Sequence, residues 1–107
     1  MTITLTVPPD AAGIVTIEAV GDIDLAAVTT LREQVDALLA TEAVTGIVLD
    51  LAGVHFLDSS GIGALVGSLR AAQERGRSLR VVHANGLVRD VLELTNVLPL
   101  LTEPESN

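Results

Sequence analysis

The chain has 107 residues, of which 49% are hydrophobic, so it can bury one core and has no room for a second. Its net charge is −8, and residues 1–60 hold nine acids and one base, Arg32. That half would repel duplex nucleic acid or an anionic membrane and would attract a basic protein surface. The alternative is that the acidic charge only keeps the protein soluble. With no cysteine and one aromatic residue, the chain offers no disulfide, no thiolate ligand and no base-stacking platform.

The first two predicted elements form an antiparallel hairpin. Residues 2–7 alternate polar and apolar side chains, which is the period of a half-buried strand. Pro8-Pro9-Asp10 and Gly13 predict a turn, and Ile14–Val20 then alternates again. Residues 1–7 lack a basic region and a long apolar segment, so we expect no signal peptide.

A helix is predicted from about Leu25 to Ala40, with Asp24 as its N-cap. Apolar residues recur at steps near 3.6 and predict one buried stripe. The members of this stripe are Leu25, Val28, Leu31, Val35, Leu38 and Leu39.

A strand, a helix and a second strand follow. The apolar run at residues 46–51 predicts a central strand buried on both faces. The helix runs through about Glu74, with Gly76 as its C-terminal glycine, and residues 78–83 form the next strand. Elements of these lengths predict a crossover between parallel strands.

The last predicted helix begins after Asn85 as its cap and ends at Thr95-Asn96. Its inner face is formed by Leu87, Val88, Val91 and Leu92. Residues 98–101 add an edge strand, because Pro99 suits only an edge, and residues 102–107 form an acidic tail. The prediction is one α/β domain at residues 1–101, with a mixed sheet of about four or five strands covered by three or four helices.

The segment Asp58-Ser59-Ser60-Gly61 lies between the predicted central strand and its helix, where open α/β sheets usually place a site. Ser59 or Ser60 is predicted to be the N-cap or a first-turn residue, which as a cap contributes about 1 kcal/mol of helix stability. Either hydroxyl could instead be a site of modification.

Catalytic interpretations of this segment fail on the sequence. The chain has no lysine, which removes a phosphate-binding P-loop and a phosphoaspartate receiver site, and it has no G-x-S-x-G elbow. The glycines at 61, 63 and 67 have the wrong spacing for a dinucleotide-binding turn. His55 and His83 stand 28 positions apart without a paired carboxylate motif, so neither is expected to bind a metal. We therefore expect no catalytic residue, no metal and no cofactor.

A phosphorylated serine fits the segment better. A phosphate adds a charge of about −1.5 to −2 at neutral pH, and helix N-terminal amides tolerate it. The fold would stay intact, while an acidic face that includes Asp22, Asp24 and Asp58 would become more negative. A partner shaped to the bare hydroxyl would then be rejected.

Two stretches, "GDIDLAAVTTLREQV" and "VLDLAGVHFLDSSGIG", resemble the anti-sigma factor antagonists of bacteria, the small single-domain members of the STAS class. The resemblance covers about residues 14–101. Its specific part is D-S-[ST]-G-[hydrophobic]-G after a V-x-D-L strand, and it implies a STAS-like mixed sheet.

The resemblance also implies a mechanism. Ser59, directly after the aspartate, is the expected phosphorylation site, and the kinase is an anti-sigma factor of the histidine-kinase-like ATPase type. The unphosphorylated protein binds that anti-sigma factor and frees the sigma factor, and a metal-dependent serine phosphatase resets the phosphorylated form. Asp24 matches an aspartate near the family's contact surface, Asp58 flanks the acceptor, and Ser60, Gly61 and Gly63 shape the loop.

The family's final helix is expected to be short or missing here. We expect a soluble, cytoplasmic protein without enzyme activity that binds neither nucleic acid nor membrane. Two other functions stay open. One is a STAS scaffold, sensor or transport-accessory module without a serine switch, and the other is a binder of nucleotides or small molecules.

Overall fold

A computed structural model of the chain describes the backbone of residues 2–5 and all of residues 10–94. The predicted α/β class is confirmed. In chain order the elements are β1 (Thr2–Leu5), β2 (Ile14–Val20), α1 (Leu25–Leu39), β3 (Gly46–Gly53), α2 (Ser59–Glu74), β4 (Ser78–Val82) and α3 (Gly86–Leu94). The predicted turn at Pro8-Pro9, the helix end at Thr95-Asn96, the edge strand at 98–101 and the tail at 102–107 lie outside the described residues.

The sheet has the strand order β1-β2-β3-β4. Strand β1 runs antiparallel to β2, whereas β2, β3 and β4 are mutually parallel. Helices α1 and α2 are the two crossover connections between the parallel strands. Because the strand order follows the chain order, crossovers of the same hand place both helices on one face of the sheet.

The core lies between this face and the helices. Val15, Ile17 and Ala19 on β2 are buried, as their alternation predicts, and Ile47 and Leu49 of β3 pair beside the first two of them. On the other face Val48 and Asp50 are only half-buried. The prediction that β3 is buried on both faces is therefore wrong, since both crossover helices cover the same side.

Helix α1 buries Leu31, Val35 and Leu39, with Val28 and Leu38 partly buried against the core. Leu25, predicted to belong to this stripe, is 73% exposed. The inward position of the first turn is taken by Ala27, four residues before Leu31. Leu25 stands two positions from Ala27, about 200° around the helix, and therefore points away from the core.

The end of α2 follows the prediction. Gly76 has a φ of 69°, and its amide donates to the carbonyl of Gln73 at 3.0 Å, while the amide of Arg77 donates to Ala72 at 2.8 Å. This pair of bonds is the Schellman motif, which requires a left-handed residue at Gly76.

Helix α3 differs from the prediction in two respects. Val88 and Leu92 are buried, but Leu87, predicted on the inner face, is 54% exposed. Asn85 directly precedes the helix, as predicted, and its carbonyl accepts from the amide of Arg89 at 3.3 Å. Its side-chain amide, however, donates to the carbonyls of His83 and Ala52 at 3.0 and 3.4 Å and so ties the loop to β3.

Candidate functional site

The starts of α1 and α2 are joined at the carboxyl edge of β2 and β3. Ile23 and Leu57 form an isolated parallel bridge just beyond the two strands. The amide of Ile23 donates to the carbonyl of Phe56 at 3.0 Å, and the amide of Asp58 approaches the carbonyl of Ile23 at 3.5 Å. Ile23 and Leu57 are buried, so this bridge fixes the two helix starts side by side. We call the segments that it joins, residues 20–27 and 53–63, the acidic rim.

The first half of the acidic rim carries Asp22 and Asp24. Asp24 is the N-cap of α1, as predicted, and its Oδ1 accepts from the amide of Ala27 at 3.1 Å. Asp22 is exposed. Both aspartates line a shallow pocket of about 280 Å³ together with Ala26, Ala27 and Thr30.

The second half begins α2 in the same way, with an aspartate as the cap. Asp58 is the N-cap, and its Oδ1 accepts from the amide of Gly61 at 3.0 Å. Ser59 and Ser60 are the first two helical residues, so of the two predicted positions they take the first turn and neither is the N-cap. A carboxylate next to the first turn competes successfully for the capping position, because it also interacts favourably with the helix dipole.

The Ser59 side chain is exposed, whereas Ser60 is half-buried. Within the described part of the chain, no hydrogen bond uses the Ser59 hydroxyl. The helix's own bonds begin with the amide of Ile62, which donates to the carbonyl of Asp58 at 3.0 Å. The amides of Ser59 and Ser60 are among the groups at a helix start that lack an intrahelical acceptor. The fold thus leaves a free hydroxyl beside free amides.

The two glycines predicted to shape the loop lie within α2, and they differ from one another. Gly61 is buried, and a β-carbon there would lie 2.5 Å from the carbonyl oxygen of Ile23, so the close approach of the two helix starts requires glycine. Gly63 is exposed, and a β-carbon there would meet no atom within 4 Å. Packing within the described chain therefore gives no reason for glycine at position 63.

The rim is uncompensated in charge. Residues 20–31 and 53–66 contain Asp22, Asp24 and Asp58 but no arginine or lysine. Among the described residues, Arg89 forms an ion pair with Glu93 and Asp50 lies against His83, and neither contact involves the rim aspartates. One oxygen each of Asp24 and Asp58 accepts a backbone amide, the two side chains are half-buried, and Asp22 is exposed.

A polar network that sequence reasoning missed lies on the β3–β4 side of the same edge. The Oδ1 atom of Asp50 accepts from the amide of Ala52 at 2.9 Å and lies 3.0 Å from Nδ1 of His83. His83 has a φ of 60°, a left-handed conformation. The Ala52 amide, followed by His83, holds the pKa of Asp50 below its ordinary value, against the opposing effect of burial. His83 follows Val82, which pairs with Asp50 across the parallel strands β3 and β4, and this register places His83 near Asp50.

In the described residues this arrangement presents Ser59 at the surface without a base bonded to its hydroxyl. No hydrogen bond in the described residues joins Ser59 to a histidine that could accept its proton. In residues 2–5 and 10–94, no three His, Asp or Glu side chains are grouped so that they could hold a metal ion. Among the described helices, none is both long enough and apolar enough to cross a membrane.

Known proteins share this fold and about a quarter of the aligned residues. Over 89 residues the chain is 27% identical to the anti-sigma F factor antagonist of Lysinibacillus sphaericus, which covers 83% of this chain and 76% of that protein. An anti-sigma factor antagonist from Mycobacterium paratuberculosis matches in structure with a TM-score of 0.74 at 26% identity, over 94% of this chain and 83% of that one. The antagonist SpoIIAA in its unphosphorylated form has the same fold, with a TM-score of 0.79 at 23% identity over 99% of this chain and 90% of that one. The family model of the STAS domain matches residues 4–106, and the chain belongs to the STAS domain family.

Proposed function

We propose that this protein is an anti-sigma factor antagonist controlled by phosphorylation of Ser59. In the unphosphorylated state it binds an anti-sigma factor that is also a serine kinase of the histidine-kinase-like ATPase type, and the sigma factor is released. Phosphorylation of Ser59 ends the binding, and a serine phosphatase restores it. The antagonist names of the relatives and membership of the STAS family support this function.

The observation that carries the proposal is the position of the Ser59 hydroxyl. It is exposed at the first turn of α2, and the capping bond is made by Asp58. A kinase can therefore reach the hydroxyl, and its esterification breaks no hydrogen bond in the described fold.

A phosphate on Ser59 changes the surface more than the scaffold. The unpaired amides of the first turn and the helix dipole favour an anion at this place. The rim aspartates, which form no ion pair with any described residue, gain a neighbour of charge about −1.5 to −2. Moving a complex from mostly bound to mostly free takes on the order of 5 kcal/mol. Removing such a charge from water in the apolar part of an interface can supply that amount.

We propose that the anti-sigma factor contacts the acidic rim. Within it Asp22, Asp24 and Asp58 provide charge, Ser60 and Gly61 set the backbone beside the acceptor, and Gly63 allows close approach. The chain acts in this scheme as a single binding domain in the cytoplasm. It has no catalytic, metal or cofactor role and binds neither nucleic acid nor membrane.

Phosphorylation is tested directly by incubating the protein with ATP and each candidate ATPase-type anti-sigma factor. Mass spectrometry of the parent should show the gain of one phosphoryl group, which maps to Ser59. Ser59→Ala should not be labelled, whereas Ser60→Ala, the matched control, should be. Labelling at Ser60 would contradict the assignment, and absence of labelling by every such kinase would favour a STAS scaffold or transport-accessory module.

The switch is tested by binding. Ser59→Ala should hold the anti-sigma factor in the presence of ATP for as long as it is followed, because it cannot be modified. Ser59→Glu should bind weakly, because it places a charge in the docking surface. A Ser59→Glu variant that binds as tightly as the parent would show that charge at this position does not control the complex.

A further inference from the structure

Exposed apolar side chains concentrate at the acidic rim. In residues 10–94 five large hydrophobic residues are exposed, and three of them, Val20, Leu25 and Phe56, belong to the rim. The other two, Leu87 and Leu94, lie on α3. Phe56 is the chain's one aromatic residue, and the fold leaves it 42% exposed instead of placing it in the core.

Along the chain, Leu25 follows and Phe56 precedes the two residues of the bridge that joins the helix starts, Ile23 and Leu57. Phe56 precedes Leu57, and its carbonyl accepts the bond from Ile23, whereas Leu25 follows the N-cap of α1. The inward positions are already filled by Ala27 and Leu57. Burying a leucine or phenylalanine side chain contributes roughly 1.5–3 kcal/mol of free energy. The isolated fold does not gain all of this stabilisation at Leu25 or Phe56, because both side chains stay exposed.

The composition of this surface is that of a docking site. Protein interfaces combine a small apolar centre, often aromatic, with a polar border, and a few buried residues near that centre carry most of the binding free energy. Here the border is formed by Asp22, Asp24 and Asp58, without a compensating cation in residues 20–31 or 53–66. Electrostatic complementarity therefore requires a partner with basic residues around an apolar pocket.

We propose that Leu25 and Phe56 are the apolar anchors by which the acidic rim docks into an apolar pocket, bordered by arginine or lysine, on the anti-sigma factor. This inference rests on the proposed function and names the contact chemistry of that complex. Docking of the two anchors would bring Ser59, which begins α2 three residues after Phe56, into the dry part of the interface. A phosphate there would lose its water, which explains why one modification ends the binding.

Single truncations test the anchors. Leu25→Ala and Phe56→Ala are titrated with each ATPase-type anti-sigma factor of the source genome, and affinity is measured by calorimetry. We expect each truncation to raise Kd about tenfold or more, the effect of an interface hot spot. The matched control is Leu87→Ala, an exposed leucine on α3, which should bind within about twofold of the parent. Binding of the parent should also weaken as salt is raised, since exposed charges are then screened.

Thermal unfolding shows whether a loss of affinity comes from a lost contact or from a destabilised fold. Leu25 is largely exposed and alanine favours helices, so Leu25→Ala should unfold at the temperature of the parent. If Phe56→Ala unfolds earlier, Leu25→Ala alone decides.

If Leu25→Ala binds as tightly as the parent, the inference that Leu25 and Phe56 anchor the complex is wrong, while the proposed function stays in place. A parent chain that binds no anti-sigma factor would overturn both. Self-association of the parent, shown by sedimentation and lost in Leu25→Ala, would assign this surface to a second copy and also overturn the inference.

Discussion

Gly61 of α2 packs so closely on the Ile23 loop that a β-carbon at position 61 would lie 2.5 Å from the carbonyl oxygen of Ile23. Ile23 in turn is held by the hydrogen bond from its amide to Phe56 and by its bridge to Leu57. The close approach of the two helix starts therefore depends on the absence of a β-carbon at Gly61. The effect of adding one can be measured.

Gly61→Ala should destabilise the protein by roughly 1–3 kcal/mol, because the added methyl group meets backbone that cannot move without breaking the bridge. Urea unfolding followed by circular dichroism measures this free energy. Gly63→Ala is the matched control and should leave stability unchanged or raise it by up to about 1 kcal/mol, since its β-carbon meets nothing. Equal effects at the two positions would contradict the packing described here.

Gly63 should matter for binding instead. Replacing it with glutamine, a good helix former, should keep or raise the free energy of unfolding and weaken binding of the anti-sigma factor, because a side chain would stand where the partner approaches. Gln73→Ala, an exposed position in the last turn of α2, is the control and should bind like the parent. Unchanged affinity of Gly63→Gln would remove Gly63 from the contact surface.

Asp58, and not Ser59, should carry the capping energy of α2. Asp58→Ala should lower the free energy of unfolding by about 1 kcal/mol, the usual loss for an N-cap, and Asp58→Asn should recover most of it. Ser59→Ala should stay within about 0.5 kcal/mol of the parent, as surface substitutions do. Chemical denaturation of the three variants distinguishes the roles. A larger loss from Ser59→Ala than from Asp58→Ala would reverse the assignment.

Asp50 should make stability depend on acid. Its pKa is lowered in the fold, chiefly by the hydrogen bond from the Ala52 amide and further by His83, so the ionised form binds its surroundings better than the protonated form does. The stabilisation is complete above the unfolded pKa, near 3.9, and is lost as the pH falls through the lower folded value. The urea concentration at the unfolding midpoint is measured from pH 5 down to pH values below the folded pKa of Asp50. Over this range the midpoint of the parent should fall more than the midpoint of Asp50→Asn.

His83→Ala separates the two contributions to this acid dependence. In His83→Ala the acid-induced fall of the urea midpoint should be smaller than in the parent but still larger than in Asp50→Asn, because the Ala52 amide still donates to the carboxylate. Identical acid profiles for the parent and Asp50→Asn would show that the lowered pKa does not contribute to stability.

Local pattern was enough to predict several elements. The alternation in Ile14–Val20 predicts both the limits of β2 and its buried side, and the aspartate before an apolar stripe predicts the start of α1 at Leu25. Gly76 could be predicted because a left-handed residue is needed where a helix ends in a Schellman motif. In each case the cause acts within a few residues of chain.

The wrong predictions have a common origin. Leu25 and Leu87 are apolar at helical spacing, yet both are exposed, because a helix has more positions with that spacing than the sheet can cover. The open face of Val48 and Asp50 follows from both crossovers lying on one side. The pairing of Asp50 with His83, 33 positions apart in the chain, depends on the parallel register of β3 and β4.

The sequence by itself determined the chemistry of the candidate site: an aspartate and two serines at a helix start, and an acidic half of the chain without lysine. Only the tertiary structure decided which serine stays exposed, and that Asp24, Phe56 and Ser59 share one edge. The reason is that capping and strand composition are set by neighbours along the chain, whereas exposure and proximity are set by parallel strands that place distant loops side by side.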